Sequence, residues 1–166
     1  PVTVKPGNDG DDDNKEPESP TPTPEPELPT ITFPQNKNTY TLPADASSDA
    51  TATISTPAGL QSVKVQIVAG NSTFGSVIEY MFGTEPFELV GNSTLESVFT
   101  DMGITLPVAG KNTVEYKFPV QQFFSLLMDE ELTGGATTDP NGHVFNITVT
   151  DLNGKPASGS LSVIVE

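Results

Sequence analysis

Between His143 and Val165 the chain alternates apolar with mostly polar residues twice. Phe145, Ile147 and Val149 alternate with Val144, Asn146, Thr148 and Thr150, and Leu161, Val163 and Val165 alternate with Ser160 and Ser162. Successive side chains of a strand point to opposite faces, so each run offers one apolar face. Asp151-Leu152-Asn153-Gly154-Lys155 lies between them. Asn-Gly is favoured where two consecutive residues need positive φ, as in a type I′ turn. The pattern predicts a hairpin that closes an antiparallel sandwich.

Upstream, Ile31 with Phe33 and Tyr40 with Leu42 predict short strands, and the neighbouring Pro34 and Pro43 place them at sheet edges, because proline removes a ladder donor. Ala50 to Ser55 predicts a third strand, Thr56-Pro57-Ala58-Gly59 a turn, and Val63, Val65 and Ile67 a strand with Lys64 and Gln66 facing out. The period then changes. Phe74, Val77, Ile78, Met81 and Phe82 share one helical stripe. Phe87 and Leu89 predict a brief strand. Ser93-Thr94-Leu95-Glu96 has the form of a capping box, Leu95, Val98, Phe99 and Met102 follow at helical spacing, and Gly103 stops the helix. Val114, Tyr116 and Phe118 alternate as a strand. Pro119, tolerated in a first helical turn, opens a third amphipathic helix through Val120, Phe123, Phe124, Leu127 and Met128. Thr133 to Gly142 is a loop containing glycine. Gly70-Asn71-Ser72-Thr73 echoes Gly91-Asn92-Ser93-Thr94, the same helix-start chemistry used twice.

Composition divides the chain. Residues 1–29 hold eight acidic residues, two lysines and repeated prolines, which predicts a disordered, extended tether ahead of one domain over residues 30–166. The start at Pro1 points to a processed or trimmed product. Net charge is -15 and arginine is absent. Nucleic-acid binding needs a basic footprint, so that class is set aside, as is direct binding to an anionic membrane. Cysteine is absent, which removes disulfides, thiolate nucleophiles and cysteine metal sites. No apolar run reaches a spanning helix of about 20 residues.

Little chemistry remains. Asp9 to Asn14 resembles a calcium loop, but Asn14 and Pro20 stand where glycine and glutamate are needed. His143 is the sole histidine and reads as a surface or strand-edge residue; no Gly-x-Ser-x-Gly elbow accompanies it. Glu79, Glu85, Glu88, Asp101 and Glu115 offer carboxylates for glycoside hydrolysis, yet no spacing singles out a pair. Asp129-Glu130-Glu131 with Asp139 could gather a cation, or simply mark where the third helix ends. Tyr40, Tyr80 and Tyr116 are the tyrosine platforms for a glycan, and Tyr116 is in phase with the core. Asn71, Asn92 and Asn146 begin Asn-x-Ser/Thr triplets to which no glycan is assigned.

Ile147-Thr148-Val149-Thr150-Asp151-Leu152-Asn153-Gly154-Lys155 resembles the last hairpin of bacterial immunoglobulin-like domains. The longer order runs from Gly59-Leu60-Gln61-Ser62-Val63-Lys64-Val65, through Phe87-Glu88-Leu89-Val90 and Asn112-Thr113-Val114-Glu115-Tyr116-Lys117-Phe118, to Val120–Met128 and the hairpin. It is similar to a domain recurrent in uncharacterised cell-surface lipoproteins of Bacteroidetes, over residues 50–166. The resemblance implies a lipid anchor upstream of Pro1, an acidic stretch at Asp9 to Asp13 and no catalytic residues to transfer. The expected fold is therefore mainly β, an immunoglobulin-like antiparallel β-sandwich with short amphipathic helices inserted in its crossovers. The expected function is a non-catalytic envelope module at the outer membrane surface, a spacer or protein-interaction domain, with a carbohydrate-binding module for glycan uptake as the alternative. No cofactor, metal ligand or catalytic residue is assigned, and the partner is an unidentified protein or glycan.

Overall fold

The computed structural model describes residues 27–166. The tether expected over residues 1–29 and the loop at Asp9 to Asn14 lie outside them, apart from Glu27 to Pro29. The described chain is mixed α+β, with eight strands in two sheets. In chain order these are β1 (Thr30–Thr32), β2 (Thr39–Leu42), β3 (Thr51–Ser55), β4 (Leu60–Val68), β5 (Phe87–Glu88), β6 (Glu115–Pro119), β7 (His143–Asp151) and β8 (Pro156–Val165). Helices α1 (Ser72–Phe82), α2 (Ser93–Asp101), α3 (Phe124–Leu127) and α4 (Glu130–Thr133) fill the crossovers.

The larger sheet has the order β2-β8-β7-β4-β5 and the smaller β1-β3-β6. β7 and β8 pair antiparallel from His143↔Val163 to Thr150↔Pro156, as the alternation predicts. Every second residue of β7 is fully buried, and so are Leu161 and Val163 of β8. β1 and β2 do lie on edges. Not every pair is antiparallel, however: β2 runs parallel to β8, from Thr39↔Ser162 to Leu42↔Val165. The direction of an edge strand is set by where the preceding crossover delivers it, which alternation does not encode.

One core joins both sheets and the helices. Phe99 sits at its centre, with Phe82, Phe87, Phe118 and Phe123 at ring distances of 6.5, 6.4, 6.5 and 6.2 Å. Phe123 reaches Phe145 of β7 at 5.1 Å. Gly159 of β8 makes room for β1: a Cβ there would lie 3.2 Å from Ile31 and 3.3 Å from Phe33.

Four local expectations are corrected. Asn153 does not take positive φ; Gly154 alone does, at 79°. The Gly154 N–H donates to Asp151 O at 2.9 Å and the Asp151 N–H to Lys155 O at 3.0 Å, so the tip is a longer loop, not a two-residue type I′ turn. Its anchor is the Asp151 carboxylate, whose Oδ1 accepts the Asn153 and Lys155 N–H groups at 2.9 Å each. Second, α2 starts one residue early. Asn92, not Ser93, is its cap and accepts from the Leu95 N–H at 3.2 Å, while Asn71 caps α1 from the Phe74 N–H at 2.9 Å. The repeated Gly-Asn-Ser-Thr is thus one device used twice, with the amide in the capping role. Third, Pro119 ends β6, and the third helix is a 3-10 turn (Val120–Phe123) running into α3. Residues three apart share a face in either geometry, so the apolar stripe did not distinguish them. Fourth, Asp129, Glu130 and Glu131 do follow the end of α3 at Leu127, but they also begin α4, which Asp129 caps by accepting from the Glu131 and Leu132 N–H groups. Carboxylates at that end meet the positive pole of the helix.

Truncating Phe99 to Ala should lower the unfolding free energy by about 3–5 kcal/mol, measured by urea titration. In the same assay Asn92→Ala should cost about 1 kcal/mol and Ser93→Ala far less. Equal losses would return the cap to Ser93.

Candidate functional site

His143 opens β7 in phase with Phe145 and is fully buried, which corrects the expected surface placement. Nothing in its flanking sequence shows that residues 134–142 and the start of α1 fold over it. Its Nδ1 accepts the Gly70 N–H at 2.8 Å, which fixes the neutral ring with its proton on Nε2. Nε2 has no hydrogen-bond partner, and the ring stands edge-to-face on Phe74 at 4.7 Å. Burial pushes its pKa down to about 4. Gly70 is the second half of this node. Its carbonyl accepts from the Thr138 N–H, the Asp139 N–H and the Thr138 hydroxyl at 2.8, 2.9 and 3.1 Å. A Cβ on Gly70 would lie 2.5 Å from the Gly142 carbonyl carbon, so a side chain there would force the backbones apart. Asn71 adds a bond from Nδ2 to Ala136 O at 3.1 Å. Sequence reasoning missed Gly70 and Thr138; the small residues beside a strand end were the one trace of this close approach.

Acidic groups are spent in the same way, on backbone. The Glu88 carboxylate accepts from the Ser62 hydroxyl at 2.5 Å, the Val63 N–H at 2.9 Å and the Val90 N–H at 3.0 Å, and so fastens β5 to β4. Asp45 accepts the Thr41 N–H at 2.8 Å and the Lys37 ammonium at 3.1 Å. These bonds, the Thr41 amide first, hold its carboxyl below the usual range. Asp49 is lowered likewise by Thr51. Asp151 is fully buried, and its Oδ2 has no partner.

Four surface concavities are each lined by one carboxylate: Glu96, Glu79, Glu88 and Asp49. None of them therefore assembles the facing carboxylates that glycoside hydrolysis requires. Glu79, Glu85, Asp101 and Glu115 are exposed. Asp139 is turned to its own loop, accepting from the Asn141 N–H at 2.8 Å. Among the described residues no group of three or more His, Asp or Glu is placed to hold a metal ion, and no helix is long and apolar enough to cross a membrane. Of the tyrosines, Tyr40 is buried and donates to Asp49 O at 2.8 Å, and burial raises its pKa. Tyr116 donates to Thr105 O at 2.6 Å, and burial raises its pKa too. Tyr80 alone stands free, at 91% exposure. Asn71 and Asn92 of the triplets are occupied as caps, and Asn146 Oδ1 accepts from the Ser160 hydroxyl at 2.6 Å.

The folded state disfavours protonated His143, whereas an unfolded chain binds that proton near pH 6.5. Stability from this group is complete above pH 6.5 and falls as the pH drops toward about 4. The loss should reach about 3 kcal/mol, read from urea midpoints across that window. His143→Asn, whose Oδ1 can replace Nδ1 as acceptor, should flatten this part of the profile.

Comparison with protein-family models, with curated proteins and with solved structures finds no match to this chain.

Proposed function

We propose that this chain is a non-catalytic module of the cell envelope, held at the outer membrane surface by the acidic, Pro-rich tether and a lipid anchor upstream of Pro1. In this proposal its two sheets are an immunoglobulin-like sandwich, as in the Bacteroidetes lipoprotein domain it resembles, and the module serves as a protein-interaction domain or spacer. The observation that carries it is the use of the polar groups: His143, Asp45, Glu88, Asp129 and Asp151 all bind backbone of their own chain. The placement of the ends adds support. Thr30 pairs with Ser55, and the 56–59 turn reaches the hairpin tip through the Leu152 N–H bond to Gly59 O at 3.0 Å. β8 runs from that tip to Val165, beside Leu42, so the loops after β2 and before β7 lie at the end away from the tether.

The second reading, a carbohydrate-binding module, is favoured by the exposed ring of Tyr80, since sugars stack on such rings. A glycan array probed with the full chain separates the two. No glycan should bind with micromolar affinity. Binding that Tyr80→Ala abolishes would replace the protein-interaction reading with the carbohydrate one. Metabolic labelling of the full-length protein with a fatty acid should mark a cysteine upstream of Pro1, and absence of label would remove the anchor.

A further inference from the structure

β5 pairs with β4 only at Lys64↔Glu88 and Val65↔Phe87. β4 continues through Gln66, Ile67 and Val68 with no strand beside it on that side. Val63 O accepts from the Leu89 N–H across this edge. By antiparallel alternation, Ile67 presents its N–H and C=O the same way. The other margins of this sheet are partly covered. Asp45 takes both edge groups of Thr41 in β2, through Oδ2 at 2.8 Å and its own N–H at 2.7 Å. Asn92 Nδ2 takes the Glu88 carbonyl of β5 at 2.8 Å.

Beside the open stretch lies a groove of about 420 Å³ between Gln66–Ala69 and α1. The helix wall is built from Ser72, Gly75, Ser76, Ile78 and Glu79, with Gly83 at the end. A Cβ on Gly75 would meet nothing nearer than Ala69 Cβ at 3.7 Å. Val68 in the lining is 45% exposed, and Tyr80, the residue after Glu79 in α1, is 91% exposed. Glu79 is the one charged group in the lining. Residues 65–110 of the sequence hold Glu79, Glu85, Glu88, Glu96 and Asp101 and no basic residue; the nearest one along β4 is Lys64, which stands in register with Glu88.

We propose that this groove receives an extended, cationic segment of another protein, which adds a strand to β4 at Ile67 and sets a Lys or Arg against Glu79 and the Tyr80 face. Strand addition supplies the main-chain bonds that the edge lacks, and alternate side chains fall either into the groove or toward solvent. Charge selects the occupant. A second copy of a chain carrying -15 is repelled here, whereas a basic strand gains both the carboxylate and a cation–π contact. The proposal rests on the protein-interaction reading above.

The test selects phage-displayed random dodecapeptides on the full chain, then titrates the selected sequences as synthetic peptides. The selected peptides should alternate apolar residues with Lys or Arg, and binding should slow hydrogen exchange at the Ile67 amide. Gly75→Leu fills the groove with a better helix former, so it folds, and should weaken binding at least about tenfold. Glu79→Lys should weaken it about fivefold, more at low salt. Peptides that bind without touching the Ile67 amide, or that ignore Gly75→Leu, overturn the groove and leave the interaction reading standing. If no peptide binds more tightly than about 1 mM, both fall.

Discussion

Strand β7 is the constraint on which the rest depends. It is hydrogen-bonded along both margins, to β4 and to β8, and its inward side chains from His143 to Asp151 are all buried. A slip of one residue would turn Phe145, Ile147 and Val149 to water and bring Asn146 and Thr148 inside. Register is therefore fixed by burial, and the aromatic cluster around Phe99 is positioned through Phe123 against Phe145.

The two ends of β7 are polar and buried, and each organises a loop. At one end Asp151 gathers the N–H groups of the hairpin tip. At the other, His143 holds Gly70, whose carbonyl gathers the loop before β7. Buried polar groups are stable only when they are bonded, and the bonds they find here are backbone groups of irregular segments. Each also keeps one atom without a partner in the protein, Asp151 Oδ2 and His143 Nε2.

That economy shapes the surface. The acids with inward roles are committed to structure, and of those left over Glu79, Glu96 and Asp101 lie on α1 and α2. Asp45 takes the edge groups of Thr41 in β2 and Asn92 the edge carbonyl of Glu88 in β5, one way in which a strand-rich protein limits pairing at random. The stretch at Ile67 departs from this rule, next to the groove wall formed by α1.

The sequence by itself determined what is local. Period-two runs located β4, β7 and β8, period-3.6 runs located α1 and α2, and the repeated Gly-Asn-Ser-Thr marked two helix starts, because side-chain direction and capping act over a few residues. Only the tertiary structure decided that β2 runs parallel to β8, that the Val120–Met128 stripe begins as a 3-10 turn, that Asp129 opens a helix, and that His143 is buried beneath Gly70 and Phe74. These outcomes turn on which distant segment covers or pairs with a residue. Gly70 and His143 are 73 residues apart in sequence, and that they meet is decided only when the chain closes on itself.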